Sequence, residues 1–135
     1  MKVIFKLFLT IFLFLVLSCQ KQEGQIYYID MGISPVRSIN CDSLRLHPNK
    51  KQLTLSNDEN NKLINIFSKL IPVKNNLDIE ARLYGFVYDG SKKLDFCSGI
   101  GVIELNGKKY LVNDSLREYM IKLTLGSRTI VSCGD

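Results

Sequence analysis

Apolar and polar positions follow three different rhythms along this chain, and each predicts a different element. From Leu7 to Leu17 the run carries no charge, proline or glycine. Further on, Leu63, Ile66, Phe67, Leu70 and Ile71 recur at i, i+3, i+4, i+7 and i+8, one stripe of a helix. From Ile79 to Tyr88 every second residue belongs to one set. Ile79, Ala81, Leu83, Gly85 and Val87 share one face of a strand, and Glu80, Arg82, Tyr84, Phe86 and Tyr88 share the other.

The stretch Ser56-Asn57-Asp58-Glu59 fits a capping box and predicts a helix over about 57–71, stopped at Pro72. Leu116, Tyr119, Met120 and Leu123 predict a second helix over about 115–125, with Ser115 or Asp114 as its cap and Gly126 as its stop. Between them lies a hairpin meander over 79–112. Its strands are 79–88, a return strand 94–105 and a third at 110–112, joined by turns at Asp89-Gly90-Ser91 and Asn106-Gly107. Gly99 and Gly101 inside the return strand predict a bulge or a close backbone approach. Ahead of the first helix, Ile26–Ile29 is β-prone, Val36–Leu46 reads as an irregular extended stretch, and Leu53 with Leu55 suggests a short strand. Thr129-Ile130-Val131 is β-prone and free to rejoin the sheet. Adjacent hairpins and two helices imply an α+β fold, a mainly antiparallel sheet in a two-layer sandwich.

The N-terminal apolar run is 11 residues long. A transmembrane helix needs roughly 20. Lys2 and Lys6 precede it, and a small residue and a break follow, the layout of an export signal. The stretch Val16-Leu17-Ser18-Cys19 resembles the bacterial lipobox. That resemblance covers residues 1–19 alone and implies that the Cys19 thiol takes a diacylglycerol. Cleavage before Cys19 then makes it the lipidated N-terminus, with acyl chains such as palmitate holding the protein to the membrane. The implied address is the bacterial cell envelope, the outer membrane rather than the inner, facing the periplasm or the outside. On this reading residues 1–18 are signal, 19–25 a lipidated N-terminus and short polar tether, and 26–135 one α+β domain. The resemblance identifies no family for that domain.

Removing residues 1–18 leaves 117 residues, enough for a single core. Loss of Lys2 and Lys6 lowers the net charge from +5 to +3, which neither demands nor excludes an anionic partner. Cys41, Cys97 and Cys133 remain, and export permits one bridge among them. The expected path of the tail favours Cys97–Cys133, with Cys41 left over. Three free buried thiols are the alternative.

Little in the sequence points to catalysis. His47 is the single histidine, in a loop, and no serine or cysteine has a recognised nucleophile context. No cysteine or histidine spacing fits a metal site, and Gly99-Ile100-Gly101 lacks the remainder of a phosphate-binding fingerprint. We therefore expect no catalytic residue, metal or cofactor, with a hydrolase built from acids assembled by folding as the minority view. The lysine pairs Lys50-Lys51, Lys92-Lys93 and Lys108-Lys109 sit at loops and turns. In a continuous return strand the second and third pairs lie at opposite ends, which speaks against nucleic-acid binding. Arg82, Tyr84, Phe86 and Tyr88, with Phe96 on the neighbouring strand, form a candidate partner-binding face. The same face competes with Ile79–Val87 to pack beneath the helices. The functional expectation is a monomeric, lipid-anchored protein-binding module of inhibitor or immunity type. The alternative is a structural accessory of an envelope assembly.

Overall fold

The computed structural model describes residues 1–16, 22–30 and 38–126, without the side chains of 14–16. Cys19, Cys133 and the Thr129–Val131 tail lie outside the described residues. The elements in chain order are α1 (Lys2–Val16), β1 (Gln25–Tyr28), α2 (Cys41–Arg45), β2 (Lys51–Thr54) and α3 (Asn57–Phe67). The four strands β3 (Leu83–Asp89), β4 (Lys92–Ser98), β5 (Val102–Leu105) and β6 (Lys108–Leu111) and the helix α4 (Asp114–Gly126) complete the set. The strands form one sheet in the order β2-β1-β3-β4-β5-β6, and every pairing is antiparallel. The expected α+β fold with a mainly antiparallel sheet is what the chain adopts.

The helix signals act as their chemistry requires. Ser56 Oγ accepts from the Glu59 amide at 3.2 Å, and the Glu59 carboxylate accepts from the Ser56 amide at 2.8 Å, closing the capping box. α3 buries Leu63, Ile66 and Phe67, and Leu70 follows them into the core, but Ile71 is exposed. The chain has left the helix by then, and the Ile71 carbonyl accepts from Leu111 at the edge of β6. α4 is capped by neither expected residue: Asn113 Oδ1 accepts from the Leu116 amide at 2.8 Å. Asparagine is as good a cap as aspartate or serine, and the helix begins one residue earlier for it.

Two expected extended stretches fold otherwise. Val36–Leu46 contains α2, whose Asn40 side chain caps it by accepting from Ser43. The return strand 94–105 is two strands, β4 and β5, which turn back on each other through Gly99-Ile100-Gly101. The close approach expected at these glycines is real at Gly99, where an added Cβ would lie 2.5 Å from the Glu80 carbonyl oxygen. Because the strand reverses, the β3–β4 turn and the β5–β6 turn point the same way, so Lys92-Lys93 and Lys108-Lys109 do not flank opposite ends as expected. Asn106 donates its amide to the Asp95 carbonyl and takes the Asp95 amide on its side chain, fixing this register. Asn106 and Gly107 both take positive φ, 45° and 84°, as a type I′ turn demands. Gly24 precedes β1 at this same end, beside the start of α3.

The main core lies between the sheet and the α3–α4 layer. Ile26, Tyr28, Leu83, Val87, Phe96, Ile103 and Leu105 from the sheet meet Leu63, Ile66, Phe67, Leu116, Met120 and Leu123. A smaller cluster of Ile29, Leu44, Ala81 and Cys97 fills the space beneath α2. α1 stands apart, with Val3, Ile4, Phe5, Phe8 and Phe12 all exposed. Among the described residues no helix is long and apolar enough to cross a membrane.

Candidate functional site

Strand register settles which sheet face is covered. Gly85 pairs with Ile26 on one side and Phe96 on the other, so Leu83, Gly85 and Val87 share the helix-covered face with Ile26 and Phe96. An added Cβ at Gly85 would lie 2.0 Å from the Gln25 carbonyl oxygen, so only glycine lets β1 pair this closely. Tyr84, Phe86 and Tyr88 therefore project from the opposite face, where each is half-buried.

That face is built in two parts. Near its Tyr84 end, α2 packs against it and is fixed by a disulfide from Cys41 to Cys97, with the Cα atoms 6.1 Å apart. Tyr27 and Tyr84 lie directly opposite on β1 and β3, and their rings stack with centroids 5.0 Å apart. The Arg45 guanidinium lies 5.0 Å from the Tyr84 centroid. Burial, reinforced by the Tyr27 phenol and offset by the Arg45 charge, raises the Tyr84 pKa above its ordinary value. Beyond α2 the face opens. Phe86 and Tyr88 meet edge to face at 5.8 Å, and the Lys93 ammonium lies 4.3 Å from the Phe86 centroid. Gln25 Oε1 accepts from both the Tyr27 hydroxyl and the Gln52 amide, adding a fixed polar rim.

Three of the five expected face residues, Tyr84, Phe86 and Tyr88, share this surface; the other two do not. Phe96 sits in the helix-covered core at 3% exposure, edge to face with Phe67, because its register partner is Gly85. Arg82 precedes β3 and is 4% exposed. Its Nη2 donates to Glu80 at 2.9 Å, while Nε and Nη1 have no partner among the described residues. Main-chain bonds to Ile29 and Ser98 hold its backbone on both sides, and its side chain is buried rather than presented as a surface arginine. Tyr27, Arg45 and Lys93 were missed. The strand pattern offered Tyr27 as a β-prone residue only, and Arg45 was hidden in a segment read as extended.

The expected Cys97–Cys133 bridge is corrected as well. Cys97 is bonded to Cys41 because α2 lies over β4, a placement the extended reading of Val36–Leu46 could not supply. His47 accepts from the Asn49 amide on Nδ1 and serves its own turn. Among the described residues no group of three His, Cys, Asp or Glu could hold a metal ion. No family model, curated protein or solved structure matches the chain.

Proposed function

We propose that this is a lipid-anchored envelope protein that binds one protein partner through its aromatic sheet face, as an inhibitor or immunity-type lipoprotein does. The observation that carries the reading is the half-buried row Tyr27, Tyr84, Phe86 and Tyr88 on the side that α3 and α4 leave uncovered. Tyrosine and arginine dominate the buried centres of protein interfaces, because they supply large contact areas with few rotatable bonds and a polar tip. Here the rings are pre-set by stacking and by the Arg45 and Lys93 cations, so binding would freeze little additional motion.

Three observations support the address. The apolar run lies on a helix whose described side chains, up to Leu13, are exposed on every side, as expected of a segment meant for a translocon rather than a core. A disulfide fits an oxidising compartment. The tether enters at the end of the sheet that carries both hairpin turns, so a lipidated Cys19 would hold Lys92 and Lys108 toward anionic headgroups. An accessory subunit of a larger assembly would use the same anchor and is the second reading.

The test is affinity capture of the full chain from solubilised envelope membranes, read by mass spectrometry. One partner in near one-to-one amount, lost with Phe86→Ser and Tyr88→Ser together, supports the module. Recovery of a multi-subunit complex unaffected by those changes supports the accessory reading.

A further inference from the structure

α2 spans five residues, far below the length at which a helix is stable alone. Three contacts fix it. Cys41 is bonded to Cys97 on β4, the Asn40 side chain accepts from the Ser43 amide, and Leu44 is wholly buried in the small cluster with Ile29 and Ala81. Arg45 and Leu46 follow directly, and both are exposed. Leu46 is 84% exposed, more than any other large apolar side chain described after α1. A cation and an apolar side chain thus stand next to each other on a pinned support at the edge of the aromatic face.

The Arg45 charge is held by a ring and not by an acid. Its guanidinium lies 5.0 Å from the Tyr84 centroid, and no described carboxylate is ion-paired with it. Attraction to a ring consumes no N–H donor, so the planar fork stays available for a carboxylate. The surroundings add to the charge. Lys50 Nζ donates to the Arg45 carbonyl at 2.7 Å. Over residues 38–54 Asp42 is the single acid against Arg45, Lys50 and Lys51. Lys93, the cation on the β4 side of the face, already has Asp95 at 3.8 Å. The positive charge of the face is therefore least compensated at α2.

We infer that Arg45 and Leu46 are the recognition element of the aromatic face, and that the partner is a protein presenting an aspartate or glutamate to Arg45 with an apolar side chain beside it for Leu46. This rests on the reading that the aromatic face binds a protein, and it states what that protein must offer. Arginine meets a carboxylate in a planar two-bond pair that lysine does not reproduce. The pinned helix leaves little freedom to be lost on docking. Leu46 favours a protein over a phosphate polyanion, which offers it no apolar contact. Placement disfavours a lipid surface: the tether enters at the Lys92 end of the sheet, whereas Cys97, beneath α2, lies at the far end of β4.

The test is zero-length coupling in envelope membranes that carry the full chain as Arg45→Lys. A water-soluble carbodiimide activates a carboxylate, and the introduced amine displaces it to form an amide, with the carbodiimide leaving as its urea. Peptide mapping reads the residue joined to position 45. An aspartate or glutamate of the same protein that photo-crosslinks from position 88 supports the inference. Arg45→Glu should lower the yield of that photo-crosslink about ten-fold, as expected for one charge-assisted contact. An acid-to-arginine change at the mapped partner residue should restore it. Leu46→Ser should lower the yield as well, whereas Ile121→Ser on α4 should not. The Cys41–Cys97 peptide, recovered without reductant, checks that α2 stays pinned in each variant. A partner still captured from position 88 in the Arg45→Lys chain, with position 45 joined to none of its carboxylates or only to Asp42, would overturn the inference and leave the aromatic-face reading standing. No partner from position 88 in the unaltered α2 background would overturn both.

Discussion

The two faces of the sheet are made from alternating residues of the same strands, yet they do different work. On the helix side Leu83, Val87 and Ile103 are at most 1% exposed and pack within the apolar core. On the other side Tyr84, Phe86 and Tyr88 stay half-buried, with rings against a second ring or a cation. The helix face stabilises by excluding water from aliphatic surface, and it tolerates no gap. The aromatic face keeps its area available and spends local contacts on holding the rings in place. Large side chains on a strand therefore do not by themselves mark the core; on β3 the smaller face of Leu83, Gly85 and Val87 carries it.

Five changes to the chain and one titration would sharpen or break this contrast. The largest effect is expected at the disulfide, the covalent tie between α2 and the aromatic face. Cys41→Ala with Cys97→Ala opens a loop spanning 56 residues. It should cost roughly 4 kcal/mol in the chain-entropy model, and denaturant melts with and without reductant check this. Next, Leu83→Ala should lose about 3 kcal/mol by leaving a cavity under α3 and α4. Phe86→Ala should lose less than about 1 kcal/mol, mostly its contact with Lys93. Equal losses in chemical melts would erase the distinction between the faces.

An effect between those of Leu83→Ala and Phe86→Ala is expected at Glu80, the one hydrogen-bonding partner of the Arg82 guanidinium among the described residues. Glu80→Ala leaves a buried cation alone. Because Glu80 is half exposed, the loss is discounted to about 1–2 kcal/mol. Arg82→Met should be nearly neutral or stabilising, since it removes two unpartnered nitrogens together with the charge. The smallest effect concerns pH. Burial raises the phenol pKa of Tyr84, and of Tyr119 with help from Glu59, above the ordinary 10.0. A raised folded pKa means that the fold favours the protonated phenol. This contribution is complete below pH 10 and is lost as pH rises through the folded values. Ultraviolet titration of the native chain should show two tyrosines ionising late, with the lag abolished in denaturant.

Much of this architecture is legible in local signals. The Ser56–Glu59 box and the Asn106-Gly107 turn act over four residues or fewer, and both appear where their chemistry places them. What eluded the sequence depends on contacts between distant segments. The Gly99–Gly101 reversal reads equally as a bulge within one strand, and only the pairing of Phe96 with Leu105 separates the two. α2 is five residues long and lacks a periodic stripe, so nothing local announces it. With α2 unseen, neither Arg45 over Tyr84 nor the Cys41–Cys97 bond could be anticipated. Phe96 was placed on the wrong face because a period of two fixes faces within a strand but not between strands without a register.

The central claim, that the aromatic face is where this protein meets its partner, is tested most directly by photo-crosslinking in intact cells. A photoreactive side chain is placed at Tyr88 on that face in one variant and at Ile121, an exposed position on α4, in another. The account predicts a single discrete crosslinked protein from position 88 and none, or the same species far more weakly, from position 121. Equal crosslinking from both positions, or a discrete product from 121 alone, would contradict it.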